Sequence, residues 1–182
     1  MIVVLYIAAI ALANVLTARY APILLHVNGN VAALPIGTFC IGATFFLRDL
    51  VQFRHGLRVA WAALAAALLV NLLLSLSYGD LLAITLASAA AFAVSESSDT
   101  AIYTLAHGSL GRRILFSGLV SVPLDSAIFV VFGLSPLTTG IVPWSAVALT
   151  IAVQVVVKLA MQALAAVPLW HVAVRRAAGA PA

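Results

Sequence analysis

Long stretches of this chain hold no charge at all. Residues 1–18, 59–79 and 126–157 contain no Asp, Glu, Lys or Arg. A run of about 20 apolar residues is what an α-helix needs to cross roughly 30 Å of hydrocarbon. Inside a bilayer the backbone must satisfy its own hydrogen bonds, which such runs do by folding as helices. Composition agrees: 65% of residues are hydrophobic and 8% charged, with a mean hydropathy of +1.21, whereas soluble domains carry about a quarter charged residues. The chain therefore reads as an all-α integral membrane protein in which residues 1–182 form a single six-helix domain. Without the basic opening of a signal peptide, residues 1–19 read as a retained first helix.

Hydropathy and span length put helices at roughly 2–19, 34–53, 57–77, 81–106, 113–133 and 143–170. Pro35 and Pro143 suit first helical turns, where a missing N–H costs nothing. The stretch Tyr20–Leu34, with "VNGN" as its turn signal, reads as the longest loop, one able to fold over the mouth of a cavity. Arg54, Arg58, Arg112, Arg113, Arg175 and Arg176 then gather on the side of the N-terminus, opposite Arg19 and Asp80. The positive-inside rule makes that side cytoplasmic, with both termini there. The net charge of +4 follows from topology, and no nucleic-acid partner is needed to explain it.

Against this background the stretch "SESSDTAIY" within the fourth helix stands out. A charge at mid-membrane costs about 2.5–3.5 kcal/mol on insertion scales and marks an interior or wet face. Five charges act at depth: Asp49, Glu96, Asp99, Asp125 and Lys158. Helical periodicity aligns Glu96, Asp99, Thr100 and Tyr103 on one face of the fourth helix. It aligns Ser117, Gly118, Ser121 and Asp125 on the fifth, and Gln154, Lys158 and Gln162 on the sixth. The second helix lines up Thr38, Gly42, Phe45 and Asp49, and the first offers Asn14 with Thr17. Pro123 removes a backbone bond and kinks the fifth helix beside Asp125. Polar groups converging at midplane on a broken helix are the pattern of a transporter. The third helix has only Asn71 and Ser75 at mid-span and faces lipid or another subunit.

Simpler roles compete with these. Lys158 can be a structural ion pair with Asp125 or Glu96. Arg48 sits beside Asp49 near a helix end, where it can snorkel to water and leave Asp49 a structural partner. His107 and His171 lie near span ends, and Cys40 reads as packing. No His, Cys and carboxylate spacing fits a metal, so neither metal nor cofactor is expected. Ser109 lies in a loop without an elbow motif, which argues against a serine hydrolase.

The stretches "GTFCIGATFFLRDLVQFRHG", "SESSDTAIY", "GRRILFSGLVSVPLDSAIFVVFG" and "KLAMQALAAVPLW" together resemble the vitamin uptake transporter family, whose best-known members carry queuosine precursors. The resemblance runs from Asn14 to Trp170, and its motif positions fall on Asp49, Glu96, Asp99, Asp125 and Lys158. It implies a non-enzymatic importer of a 7-deazaguanine, such as 7-cyano-7-deazaguanine, in the inner cell membrane. The chain departs from the pattern at "FRHG", where relatives carry an acid or amide. The chemistry fits the ligand class: a carboxylate accepts the N1–H and 2-amino donors together, a charge-assisted pair. Lys158 or a glutamine, Gln154 or Gln162, suits the 6-oxo group, and Phe45, Tyr103 and Phe132 offer aromatic walls.

Several functions remain open on the sequence. A secondary carrier, acting alone or as a homodimer, competes with the substrate-binding subunit of an energy-coupling-factor importer. An intramembrane enzyme using Glu96 and Asp125 as an acid–base pair, or an assembly subunit locked by Lys158, belongs to other classes. The driving force is open between proton uptake at Glu96 or Asp125 and facilitated diffusion.

Overall fold

A computed structural model describes residues 1–27, 29–78, 82–107 and 110–178, with side chains except those of 75, 77, 78, 83, 110, 111 and 166–178. Among these residues the order is α1 (Ile2–Arg19), β1 (Ile23–Val27), β2 (Asn30–Leu34), α2 (Gly37–His55), α3 (Leu57–Tyr78), α4 (Leu82–Leu105), α5 (Leu110–Phe129) and α6 (Trp144–Ala178). A π-helical turn, Val130–Leu134, continues α5. Asp80, Ser109, the side chains of Ser75, His171, Arg175 and Arg176, and Ala180 lie outside the description.

Polarity is distributed inside out. Leu5, Leu12, Leu69, Leu73, Leu76, Leu86, Val156 and Leu164 are exposed, while Thr44, Arg48, Asp49, Glu96, Asp99, Ser121, Asp125, Gln154 and Lys158 are buried. In water this would forfeit hydrophobic stabilisation and desolvate charge as well. In a bilayer it is the arrangement expected for an interior that carries function. Four helical segments are long and apolar enough to cross a membrane: Ile2–Arg19, Leu57–Leu74, Arg112–Leu134 and Trp144–Ala165. The two helices outside this set are α2 and α4, which carry Arg48, Asp49 and Arg54, and Glu96 and Asp99, respectively. The chain is a multi-pass membrane protein by this reading.

Helices α4 and α5 run together, as do α1 and α2, and α2 also lies against α6. Glycine permits the last contact. A Cβ built on Gly42 would fall 2.7 Å from the Lys158 carbonyl oxygen and 2.5 Å from Met161 Cβ. Small residues let membrane helices approach this closely. Helix α3 presents Ala60, Ala63, Leu64, Ala67 and Asn71 inward, the first four in one cluster with Tyr6, Ile10 and Phe92, and leaves Leu69, Leu73 and Leu76 outside. Gly56, at φ +81°, ends α2 and lets α3 start at once.

One expectation needs correction. Tyr20–Leu34 is not a plain loop: it contains an antiparallel hairpin, paired from Ile23 with Leu34 to Val27 with Asn30. Ala32, Ala33 and Leu34 are buried, and the Ala33 N–H donates to Thr150 Oγ1 of α6 at 3.2 Å. The hairpin thus caps the end of the bundle where α2, α4 and α6 begin. Helix α5 runs uninterrupted through Pro123, and the irregular turn comes later, at Val130–Leu134. Pro35 and Pro143 stand just before their helices, where their carbonyls accept from Thr38 N–H at 3.0 Å and Ala146 N–H at 2.9 Å.

Candidate functional site

The buried polar groups form two layers. The layer farther from the hairpin is built on Arg48 of α2, which is 3% exposed. Its Nε pairs with Glu96 Oε2 at 2.6 Å and its Nη1 with Asp49 Oδ1 at 3.0 Å. Nη1 also contacts Asp99 Oδ2, and Nη2 donates to Thr100 Oγ1 and, at 3.1 Å, to the Glu96 carbonyl. From α5, Ser121 Oγ donates to Asp99 Oδ1 at 3.0 Å. Snorkelling is therefore overturned: α4 offers Arg48 two carboxylates, a hydroxyl and a carbonyl inside the bundle, and a planar guanidinium saturates its donors there.

The second layer, nearer the hairpin, surrounds a cavity of about 20 Å³. Asn14, Thr17, Thr38, Ser88, Asp125, Gln154 and Lys158 supply its polar lining, and Phe92 and Phe129 its aromatic walls. Lys158 Nζ lies 2.7 Å from Asp125 Oδ2 and donates to Ser126 Oγ at 3.1 Å. It also sits 5.9 Å from the centre of the Phe129 ring. Ser88 Oγ donates to Asn14 Oδ1 at 3.0 Å. Gln154 is fully buried, and neither its Oε1 nor its Nε2 has a partner. A buried polar group left unpaired costs about 1–3 kcal/mol.

Periodicity and depth thus bring Asn14, Asp125, Gln154 and Lys158 to one cavity. Asp49, Glu96 and Asp99 gather on Arg48 instead, with Glu96 facing the α3 side beside Trp61 and Leu64. Gln162 donates to the Ile114 carbonyl at 3.4 Å, and its amide packs against Gly118. Phe45 is buried but outside the cavity lining. Tyr103 packs with Phe46 and Ile114, under the guanidinium of Arg113 at 3.9 Å, and Arg113 also bonds to its carbonyl. Phe132 is 53% exposed and walls nothing. The aromatic walls are Phe92 and Phe129, which sequence reasoning passed over, and the hub is Arg48, which it read only as snorkelling or as the structural partner of Asp49. The signal for the two rings was spacing: Phe129 stands four residues after Asp125, and Phe92 four before Glu96, on the same helical faces.

Residues 74–173 match a family model described as "putative vitamin uptake transporter". The chain belongs to this family. The matched segment includes all of α4 and α5 and most of α6, so it contains Glu96, Asp99, Asp125, Gln154, Lys158 and Gln162. Asn14 and the α2 residues Phe45, Arg48 and Asp49 precede it. No curated protein and no solved structure matches the chain. Family membership with a buried polar cavity in a multi-pass helical bundle suggests a transporter of a small molecule.

Proposed function

We propose that this vitamin uptake transporter family member imports a 7-deazaguanine, such as 7-cyano-7-deazaguanine, across the inner cell membrane. In this reading all six helices span the bilayer, both termini are cytoplasmic, and the hairpin lies outside. The observation that carries the reading is the unpaired carboxamide of Gln154, held beside the Asp125–Lys158 pair in a cavity walled by Phe92 and Phe129. Fold stability gains nothing from such an amide; a ligand does. The carboxylate of Asp125 suits the N1–H and 2-amino donors of the base, and Lys158 or the Gln154 amide suits its 6-oxo group. Asp49, Glu96 and Asp99 serve the Arg48 layer and do not touch the solute.

A cavity of about 20 Å³ is the size of one water molecule rather than of a bicyclic base. The conformation described is closed, and solute entry requires α1, α2 and α6 to separate around the cavity. Closed-over midplane sites are what alternating access demands. The test is uptake in a strain that cannot make the precursor, scored by queuosine in its tRNA. Wild type should restore the modification, and a Gln154→Met variant that still reaches the membrane should not. A membrane-inserted wild type that leaves the tRNA unmodified overturns the substrate.

A further inference from the structure

Five acidic side chains occur in the whole sequence, and three of them, Asp49, Glu96 and Asp99, meet on the one guanidinium of Arg48. Fully ionised, that layer would carry two negative charges in excess inside a low-dielectric bundle. An excess of two buried charges is strongly unfavourable, and uptake of one proton lowers it to one. Among the described residues no other cation is ion-paired to these three carboxylates. Lys158 is engaged by Asp125, and Arg113 by the carbonyl and ring of Tyr103. The face that α3 turns to Arg48 and Glu96 offers Ala60, Trp61 and Leu64, none of them ionisable.

The geometry says where a proton belongs. Asp49 Oδ1 and Asp99 Oδ2 both lean on the same Nη1, so two carboxyls crowd one donor. A proton on one of the two carboxyls relieves the repulsion between them at that shared donor. Asp49 Oδ2 and Glu96 Oε1 have no partner. A fully buried tyrosine of α1, Tyr6, lies within electrostatic reach of all four charges, and its hydroxyl is also unpartnered. Among the described residues, no His, Cys, Asp and Glu group is arranged to hold a metal ion, so a proton is the cation these residues fit.

The layer is also wired to the cavity. Helix α4 carries Glu96 and Asp99 and, one residue earlier, Ser95, whose hydroxyl reaches Asp125 Oδ1 at 3.4 Å. Helix α5 carries Ser121, bonded to Asp99, and Asp125 itself. Movement of α2 against α6 around the cavity must therefore disturb the contacts of Arg48.

We propose that the Arg48 layer is a proton site, holding an exchangeable proton between Asp49 and Asp99 whose uptake from water and release to water accompanies solute movement. Its occupancy stands alone; its coupling rests on the transport reading. Occupancy is read by infrared spectroscopy of purified protein in lipid bilayers at neutral pH. With five acidic side chains the carboxylic C=O region is simple to assign. A protonated-carboxyl band is expected in wild type and in Asp80→Asn, and it should vanish or shift in Asp49→Asn and Asp99→Asn. Either amide removes one excess charge and leaves Arg48 paired, so folding should hold, as a melting curve verifies. Absence of the band in wild type, or its persistence unchanged in both variants, overturns the site. Coupling is read in liposomes with labelled 7-cyano-7-deazaguanine. An imposed proton gradient should drive accumulation of up to about tenfold per pH unit for one proton per solute. Asp49→Asn and Asp99→Asn should retain solute exchange and lose that response. Wild-type exchange that ignores the gradient overturns the coupling, whereas no exchange at all overturns the substrate and the coupling with it, while the infrared band still decides the proton.

Discussion

Gln154 buries a carboxamide that bonds to nothing, and that makes it the most informative single residue to change. Gln154→Met keeps the length of the side chain and removes the unpaired groups. It should raise the melting temperature, by relief of about 1–3 kcal/mol, while abolishing uptake of the base. A variant that loses stability as well would make the amide structural. Asp125 and Lys158 call for a different experiment, because each is buried and each holds the other. Removing one leaves an unpaired buried charge, at a cost of about 3–5 kcal/mol. Denaturation of Asp125→Asn, Lys158→Met and the double variant should show the double losing less than the two singles together; simple addition would mean the pair is not energetically coupled. Asp125, Gln154 and Lys158 were legible in the sequence because polar residues at mid-span and four-residue spacing have one face to occupy. Arg48 was not. Its distance from the end of α2 allows either snorkelling or burial, and what decides is the pair of carboxylates on α4, a partner that no local pattern reveals.

Helix positions were largely legible too, since hydropathy and span length are local properties of the chain. The hairpin was missed although its signal was present: Asn28-Gly29 between two apolar runs is the composition of a tight β-turn. In a chain of apolar runs, strands of five residues do not announce themselves, and only their packing against α6 gives them a role. Element contacts are more exacting than element positions. The approach of α2 to α6 depends on Gly42, where a Cβ would meet a backbone carbonyl and Met161. Gly42→Ala should therefore force the two helices apart, at about 1–3 kcal/mol, measurable as a lower melting temperature. The carbonyl it displaces belongs to Lys158, so uptake should fall at temperatures where the protein is still folded. An alanine variant with wild-type stability would mean that the α2–α6 contact is looser than described.

At the scale of the whole molecule, burial and charge make two separate statements. Burial says that the outside is apolar and the inside polar, which fixes the environment as lipid without fixing which end faces the cytoplasm. Charge supplies the direction. Of nine basic side chains, Arg48 and Lys158 are used inside, and Arg19 closes α1 at the hairpin end. Arg54, Arg58, Arg112, Arg113, Arg175 and Arg176 all fall in the segments at the other end. Lys and Arg are retained on the cytoplasmic side during insertion, so the end opposite the hairpin should be inside. The single cysteine, Cys40, can be replaced by alanine to leave a background without thiols. Two exposed positions then report the two ends: His55 at the close of α2, and Leu137, 59% exposed, between α5 and α6. In intact cells a membrane-impermeant maleimide should label Leu137→Cys and spare His55→Cys, and permeabilisation should make both reactive. Labelling of His55→Cys from outside would invert the molecule, placing the hairpin and the cavity mouth in the cytoplasm and turning the proposed importer toward export. Labelling of both from the same side would mean that an odd number of helices fails to cross between them, and the six-span arrangement would fall.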